Sequence, residues 1–243
     1  MIIPRESMGD YTNMSGYYDV IMTSGYYDYK KIVDSLTSHG PQQNVLEIGC
    51  GTGLILEELA KRQPSLPITG IDLTGPMLSI AQKRLAPFST ISLSQQNICE
   101  LTLAVQHELA FSYGGVWYFV IDGDNEPFLV SHISDHAANV AGFEKLANHM
   151  SDGSKLLLGI QGPHFDYEKL ISNDYVYSQK IEPNGHGFIK HYYLDDGDKR
   201  LMSQTIDYRT YNFKEACQML GVNGFEYQHK PAPDRQFLVF HKK

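Results

Sequence analysis

The chain has 243 residues, of which 42% are hydrophobic and 20% charged, with a net charge of −8 at neutral pH. This balance fits one α/β domain with room for an insertion, and the acidic excess argues against a nucleic-acid partner, which would call for a basic face. Cys50, Cys99 and Cys217 lie too far apart for a disulfide framework or a metal set; no apolar run reaches membrane-spanning length, and the start MIIPRESMGDYTNMSG has no leader pattern, so the expected location is cytoplasmic.

The first segment, Tyr11 to Tyr29, is a tyrosine-rich arm containing YYDVIMTSGYYDY. Tyr29, Ile32, Val33 and Leu36 recur at helical spacing and predict a helix ended by Gly40-Pro41. Apolar runs then predict strands at Asn44 to Ile48, Ile68 to Ile71, Thr90 to Leu93, about Glu108 to Tyr113, and Lys155 to Ile160. The first intervening helix covers about Gly53 to Arg62. The second has Thr74 as N-cap, Pro76 in its first turn, and Met77, Leu78, Ala81 and Leu85 facing inward. A third is capped by Asp135, with Ala137, Val140, Ala141 and Leu146 on its periodic face. Such alternation implies a parallel sheet with right-handed crossovers.

The end of the chain breaks that rhythm. A helix over Phe213 to Leu220, closed by Gly221, precedes Phe225 to Gln228, a proline-containing turn, and Gln236 to His241. Strands joined so closely must be antiparallel. Two further segments stand outside the core. Val116 to Ile133 predicts a hairpin turning at Asp122-Gly123-Asp124-Asn125. Gly162 to Tyr211 is an insertion with strand-like runs at Tyr175 to Ile181, Phe188 to Leu194 and Leu201 to Tyr208. The expected organisation is a single domain: arm and helix over 1–40, core over 41–161, cap insertion over 162–211, and the end of the core sheet over 212–243.

The chemistry concentrates at Val45-Leu46-Glu47-Ile48-Gly49-Cys50-Gly51-Thr52-Gly53, an apolar strand running into a glycine-dense turn at a helix start. Glycines let the backbone take positive φ and approach a ligand closely, and a helix start presents free N–H groups. Asp72 ends the next strand, where an open α/β sheet grips a ribose diol. A nicotinamide dehydrogenase would need G-x-G-x-x-G, but Leu54 follows Gly53 and the pattern is G-x-G-x-G.

Read as E-x-G-x-G-x-G, this stretch resembles motif I of class I S-adenosylmethionine-dependent methyltransferases, and Gly70-Ile71-Asp72-Leu73-Thr74 with Met77 resembles their second motif. The arm is loosely similar to that of sugar-amine and glycine-type N-methyltransferases. The resemblance implies a Rossmann-like, doubly wound, seven-stranded sheet with an antiparallel last strand, plus a small antiparallel β cap. It also implies S-adenosylmethionine as cofactor. Gly49, Cys50, Gly51 and Gly53 would form the cradle, Glu47 would serve the cofactor's amino-acid end, and Asp72 the ribose. Leu73, Met77, Asn97 and Ile98 would surround the adenine. Asn97 stands where the family usually has Asp, and its amide oxygen can still accept a bond. Tyr18, Tyr29 and Tyr113 complete the expected cofactor contacts.

Trp117 and Tyr118 follow the fourth strand at the carboxyl edge of the sheet and are candidates for the acceptor wall. His164 follows the fifth strand as an acceptor-site residue. His164 and Tyr18 are the catalytic candidates. The expected function is methyl transfer to nitrogen or oxygen of a small, specialised metabolite, with alignment and desolvation as the main catalytic factors. No metal site has ligand spacing, neither a nucleic-acid nor a membrane partner is expected, and homodimer assembly stays open. Rival readings are a cyclase or aminopropyl transferase on the same fold, or a non-catalytic cofactor-binding regulator.

Overall fold

A computed structural model describes residues 8–40, 43–228 and 236–243. Pro41, the proline-containing turn after Gln228, and residues 1–7 of the N-terminal reading lie outside them.

The arm begins with a 3-10 turn over Thr12–Tyr17 and continues into the short helix α1 (Tyr18–Met22). Helix α2 (Tyr29–Ser38) follows, with Asp28 accepting from the Lys31 N–H as N-cap and Ile32, Val33 and Leu36 buried. Strands β1 (Val45–Ile48), β2 (Ile68–Asp72), β3 (Ile91–Gln95) and β4 (His107–Ser112) are connected through α3 (Leu54–Arg62) and α4 (Gly75–Leu85). All four residues of β1 are buried, as expected for a parallel strand covered on both faces. On α4 the buried residues are Met77, Leu78, Ala81 and Leu85, the set that the periodicity selects.

Next come β5 (Trp117–Val120), β6 (Phe128–Ser131), α5 (His136–Asn148) and β7 (Met150–Gln161). Asp135 caps α5, but the buried side is Ala138, Asn139, Gly142, Phe143 and Leu146, rotated by one residue from the predicted face. The cause is polar. Asn139 is fully buried, accepting from Trp117 Nε1 and Ser131 Oγ and donating to the Ile133 and Asp135 carbonyls. An inward asparagine is invisible to a hydrophobic count, yet every one of its polar atoms is satisfied.

The insertion supplies β8 (Tyr167–Leu170), β9 (Val176–Asn184), β10 (Gly187–Asp196) and β11 (Lys199–Asn212). Helix α6 (Phe213–Gly221) starts on a capping box between Asn212 and Glu215, and β12 (Phe225–Tyr227) and β13 (Phe237–Lys242) close the described chain.

Among the described residues, seven strands form the core sheet in the order β3-β2-β1-β4-β7-β13-β12, with β13 antiparallel to β7. The remaining six form the cap sheet, β5-β6-β11-β10-β9-β8. The hairpin and the insertion, read from sequence as separate extras, are therefore one sheet, joined where Arg209 to Asn212 pair with Phe128 to Ser131. Long β7 carries both sheets, because its end also pairs with β5 through Phe119↔Ile160 and Val120↔Gln161. Alternation along β7 sends Leu156 and Leu158 to the α5–α6 layer and Leu157 to the α2–α4 layer. Each such buried leucine contributes about 1.5–3 kcal/mol relative to exposure. This fixed core holds the carboxyl ends of β1, β2 and β4 beneath the cap.

Candidate functional site

The turn after β1 depends on three glycines in left-handed backbone, Gly49 (φ 75°), Gly51 (φ 53°) and Gly53 (φ 81°). The Gly49 and Cys50 N–H groups donate to the Ile71 carbonyl at 2.8 and 2.9 Å, tying the turn to the end of β2. A Cβ on Gly49 would sit 3.1 Å from Gly115 Cα, so two glycine-rich turns touch backbone to backbone. Gly53 has another task. A Cβ there would lie 2.8 Å from Leu85 Cδ1, so this glycine lets α3 and α4 pack closely. The Cys50 thiol likewise turns inward, toward Gly70, and burial pushes it up.

The Asp72 carboxylate bridges the two motifs. Its Oδ2 accepts from Gly51 N and its Oδ1 from Thr74 N, both at 2.8 Å. Burial raises its pKa against the opposing pull of these bonds. Each oxygen retains a lone pair toward the cavity that Asp72 lines together with Leu73, Met77 and Ile98. Asn97 Oδ1 accepts from Cys99 N at 2.9 Å, capping a 3-10 turn, and it is Gln96 and Ile98 on either side that line the cavity.

Glu47 is buried at 3% exposure, and among the described residues its Oε2 has no hydrogen-bond partner. Burial, reinforced by the nearby Asp72 charge, holds its carboxyl well above the usual range. It borders a smaller recess with Tyr18, Tyr29, Cys50 and Tyr113. The Tyr113 hydroxyl donates to Gln236 at 3.0 Å, and its ring packs on Tyr27 and Phe237. Tyr113 thus borders the recess, whereas its neighbours Gly114 and Gly115 line the main cavity.

The arm closes over this ground. Tyr18 stands opposite Gly51, where a Cβ would be 3.9 Å from its ring. Asp19 accepts from Thr52 Oγ1 at 2.6 Å and pairs with Arg84, which also donates to the Thr52 carbonyl at 2.9 Å and to Glu57 at 3.0 Å. Tyr26 and Tyr27 add further walls, and Gln161 donates to the Tyr27 hydroxyl at 2.9 Å. Burial drives the Tyr18 phenol far up, so it is a protonated donor at neutral pH.

Strand geometry divides the two aromatic candidates on β5. Consecutive side chains leave a strand on opposite faces. Tyr118 lines the cavity and hydrogen-bonds His164 Nε2 at 2.9 Å. Trp117 does not: it is fully buried on the other face, stacked on Phe143 at 4.0 Å between centroids, and is corrected here from acceptor wall to core. His164 lines the cavity and is displaced to a pKa of about 3 by burial and by the charge of Lys190, so its imidazole is neutral at physiological pH.

Several lining residues escaped the sequence reading. Tyr11, Tyr192 and Tyr208 are linked hydroxyl to hydroxyl, Tyr11–Tyr208 at 2.7 Å and Tyr192–Tyr208 at 2.5 Å. His132 lies edge-on to Tyr118 and Tyr208, and burial lowers it to about 3. Lys190 is 1% exposed. A signal for it existed: Lys190, Tyr192 and Leu194 share one face by the period of two, so the lysine had to point the way its apolar partners do. Together these groups surround about 960 Å³ of space, counting its mouth, running from the glycine turn to the inner face of the cap.

Residues 45–134 match the methyltransferase domain family. A malonyl-[acyl-carrier protein] O-methyltransferase from Priestia megaterium is 36% identical over 75 residues, 31% of this chain. The chain thus matches only 27% of that relative's length. Among solved structures, DesVI of Streptomyces venezuelae superposes with a TM-score of 0.67 at 17% identity, covering 94% of this chain and 98% of its own. CalS10 of Micromonospora echinaspora, described as an amino pentose methyltransferase with S-adenosylmethionine bound, gives 0.65 at 16%, covering 93% and 96%. The α/β fold with its mixed sheet is shared with these structures over that span. Among the described residues, no helix is long and apolar enough to cross a membrane.

Proposed function

We propose that this chain is an S-adenosylmethionine-dependent methyltransferase acting on nitrogen or oxygen of a small molecule. One observation carries the reading: a single cavity joins the Gly49–Gly51 turn and Asp72 to Tyr118 and His164, covered by the arm and the cap sheet. The cofactor, when bound, supplies a sulfonium methyl group. The residues fit it in their donor chemistry. Gly49 and Gly51 take the positive φ that lays the turn's backbone along the cavity, Asp72 offers lone pairs to a diol, and the Glu47 oxygen unpartnered among the described residues can accept from an ammonium. Leu73, Met77 and Ile98 offer apolar walls for the adenine, and Tyr18 and Tyr29 lie beside the amino-acid end.

On the acceptor side, Tyr118 and His164 orient the attacking atom. A histidine held near pKa 3 accepts a proton poorly at neutral pH, so positioning and water exclusion carry more of the rate than base catalysis. Tyr18, a protonated phenol, acts as a donor. The working unit is the single domain outlined above, with residues 117–131 belonging to the cap together with 162–211. The three free cysteines suit a reducing, cytoplasmic setting.

The deciding experiment incubates the protein with S-adenosylmethionine and a metabolite extract and compares masses before and after. A new species heavier by one methyl group, formed together with S-adenosylhomocysteine, is expected. Tight S-adenosylhomocysteine binding without any methylated product across broad extracts would overturn the catalytic reading.

A further inference from the structure

At the inner end of the cavity, the cap sheet places a buried cation where a hydrocarbon would be expected. Lys190 extends from β10 on the face that also bears Tyr192 and Leu194, both buried. Among the described residues it has no ion pair and no side-chain hydrogen bond. Its Nζ lies over the Tyr192 ring, 4.9 Å from the centroid. Among the described residues no carboxylate pairs with it, and burial lowers its pKa to about 7. Asp72 and Glu47 belong to the cofactor end. An ammonium removed from water without a counter-charge is strongly disfavoured, and the buried charges that persist are paired.

The neighbours of Lys190 also have protons to give. Tyr11, Tyr208 and Tyr192 bring three phenolic hydroxyls together, and each can turn its proton from a neighbouring hydroxyl to a ligand. His132 and His164 are both pushed down by burial first and by the Lys190 charge second, and stand neutral beside it. This end is therefore rich in donors, holds one amine that an entering anion would keep protonated, and is shaped by aromatic rings. Among the described residues, no arginine lines the cavity. One cation matches a monoanion; a phosphate dianion is usually met by arginine forks or a helix start.

We propose that the inner end of the cavity, Lys190 with the Tyr11–Tyr208–Tyr192 hydroxyl chain, is a subsite for a carboxylate carried by the methyl acceptor. This deepens the methyltransferase reading and rests on it: the acceptor is an aromatic or otherwise flat small acid, anchored by its carboxylate at the cap while its nucleophilic atom faces Tyr118 and His164.

The test uses matched probes on the full-length protein. Benzoate, benzamide and phenyl phosphate are titrated by ligand-observed NMR, with and without saturating S-adenosylhomocysteine, against wild type, Lys190→Met and Lys190→Arg. Wild type should hold benzoate about tenfold or more tighter than benzamide. Lys190→Met should abolish that preference while leaving S-adenosylhomocysteine affinity unchanged, and Lys190→Arg should retain it. Equal binding of benzoate and benzamide by wild type, or a preference that survives in the Met variant, would overturn the subsite. Preference for phenyl phosphate over benzoate would overturn the carboxylate assignment. The wild-type probe comparison decides even where a variant fails to fold. Failure of S-adenosylhomocysteine to bind would instead count against the methyltransferase reading, because the probe comparison is also made without it.

Discussion

Replacing Asp72 by alanine separates the two tasks that converge on this side chain. The carboxylate accepts from Gly51 N and Thr74 N at 2.8 Å each, so its removal leaves two backbone donors of the turn without partners. Hydrogen bonds to charged groups contribute about 1.5–3 kcal/mol each, and relaxation toward water recovers part of that. A net stability loss of about 2–4 kcal/mol is expected, a fall of roughly 4–16 °C in Tm for a chain of this size. The ligand-free protein should show that loss in full.

The ribose role then needs a measurement that loop damage cannot imitate. Calorimetry of S-adenosylhomocysteine and its 2′-deoxy analogue against wild type and Asp72→Ala forms a thermodynamic cycle. Loss of the hydroxyl should weaken binding to wild type by about 1.5–3 kcal/mol, roughly 12- to 140-fold, and have little effect on the variant. A deoxy penalty of the same size in both proteins would refute the ribose contact and leave Asp72 as the tie between Gly51 and Thr74.

Three further outcomes follow from the same structure. Glu47 has its folded-state pKa raised, so its contribution to stability is greatest below the unfolded carboxyl range and falls as pH rises toward the folded value. Glu47→Gln should therefore gain stability relative to wild type as pH goes from 4 to 8, by up to about 1.4 kcal/mol per pH unit inside that window, and parallel thermal-denaturation profiles would refute this. Asn97→Leu removes the cap on Cys99 N and should lower ligand-free stability by about 1 kcal/mol, with a similar loss in S-adenosylhomocysteine affinity; unchanged affinity beside the stability loss would leave Asn97 as a cap alone. Asp19→Ala breaks the contacts to Thr52 and Arg84 and should speed amide exchange across residues 11–29, with S-adenosylhomocysteine slowing it again; exchange equal to wild type would show that the Asp19 contacts do not fasten the arm.

Local sequence determined much of this protein. The alternation of strands and helices, the glycine turn after β1, the acid at the end of β2, the inward face of α4 and the short antiparallel finish all follow from periodicity, backbone freedom and loop length, which act between residues near in sequence. Five of the six cap strands were legible for the same reason; β8, largely exposed, has no apolar run to announce it. What tertiary structure alone decided involves partners distant along the chain. Asn139 turned α5 by one residue because Trp117 and Ser131 needed a polar partner. That pairing also drew Trp117 into the core, while the pleat sent Tyr118 to the cavity. Asn97 spends its oxygen on Cys99, a bond set by a three-residue turn. The hairpin at 117–131 and the insertion became one sheet only through the pairing of β6 with β11, some eighty residues apart. That pairing folds Lys190, Tyr192 and Tyr208 over the carboxyl edge. A period of two shows that the lysine shares a face with apolar neighbours, but only the closed cap shows that the face looks into a cavity and that no carboxylate among the described residues pairs with it there.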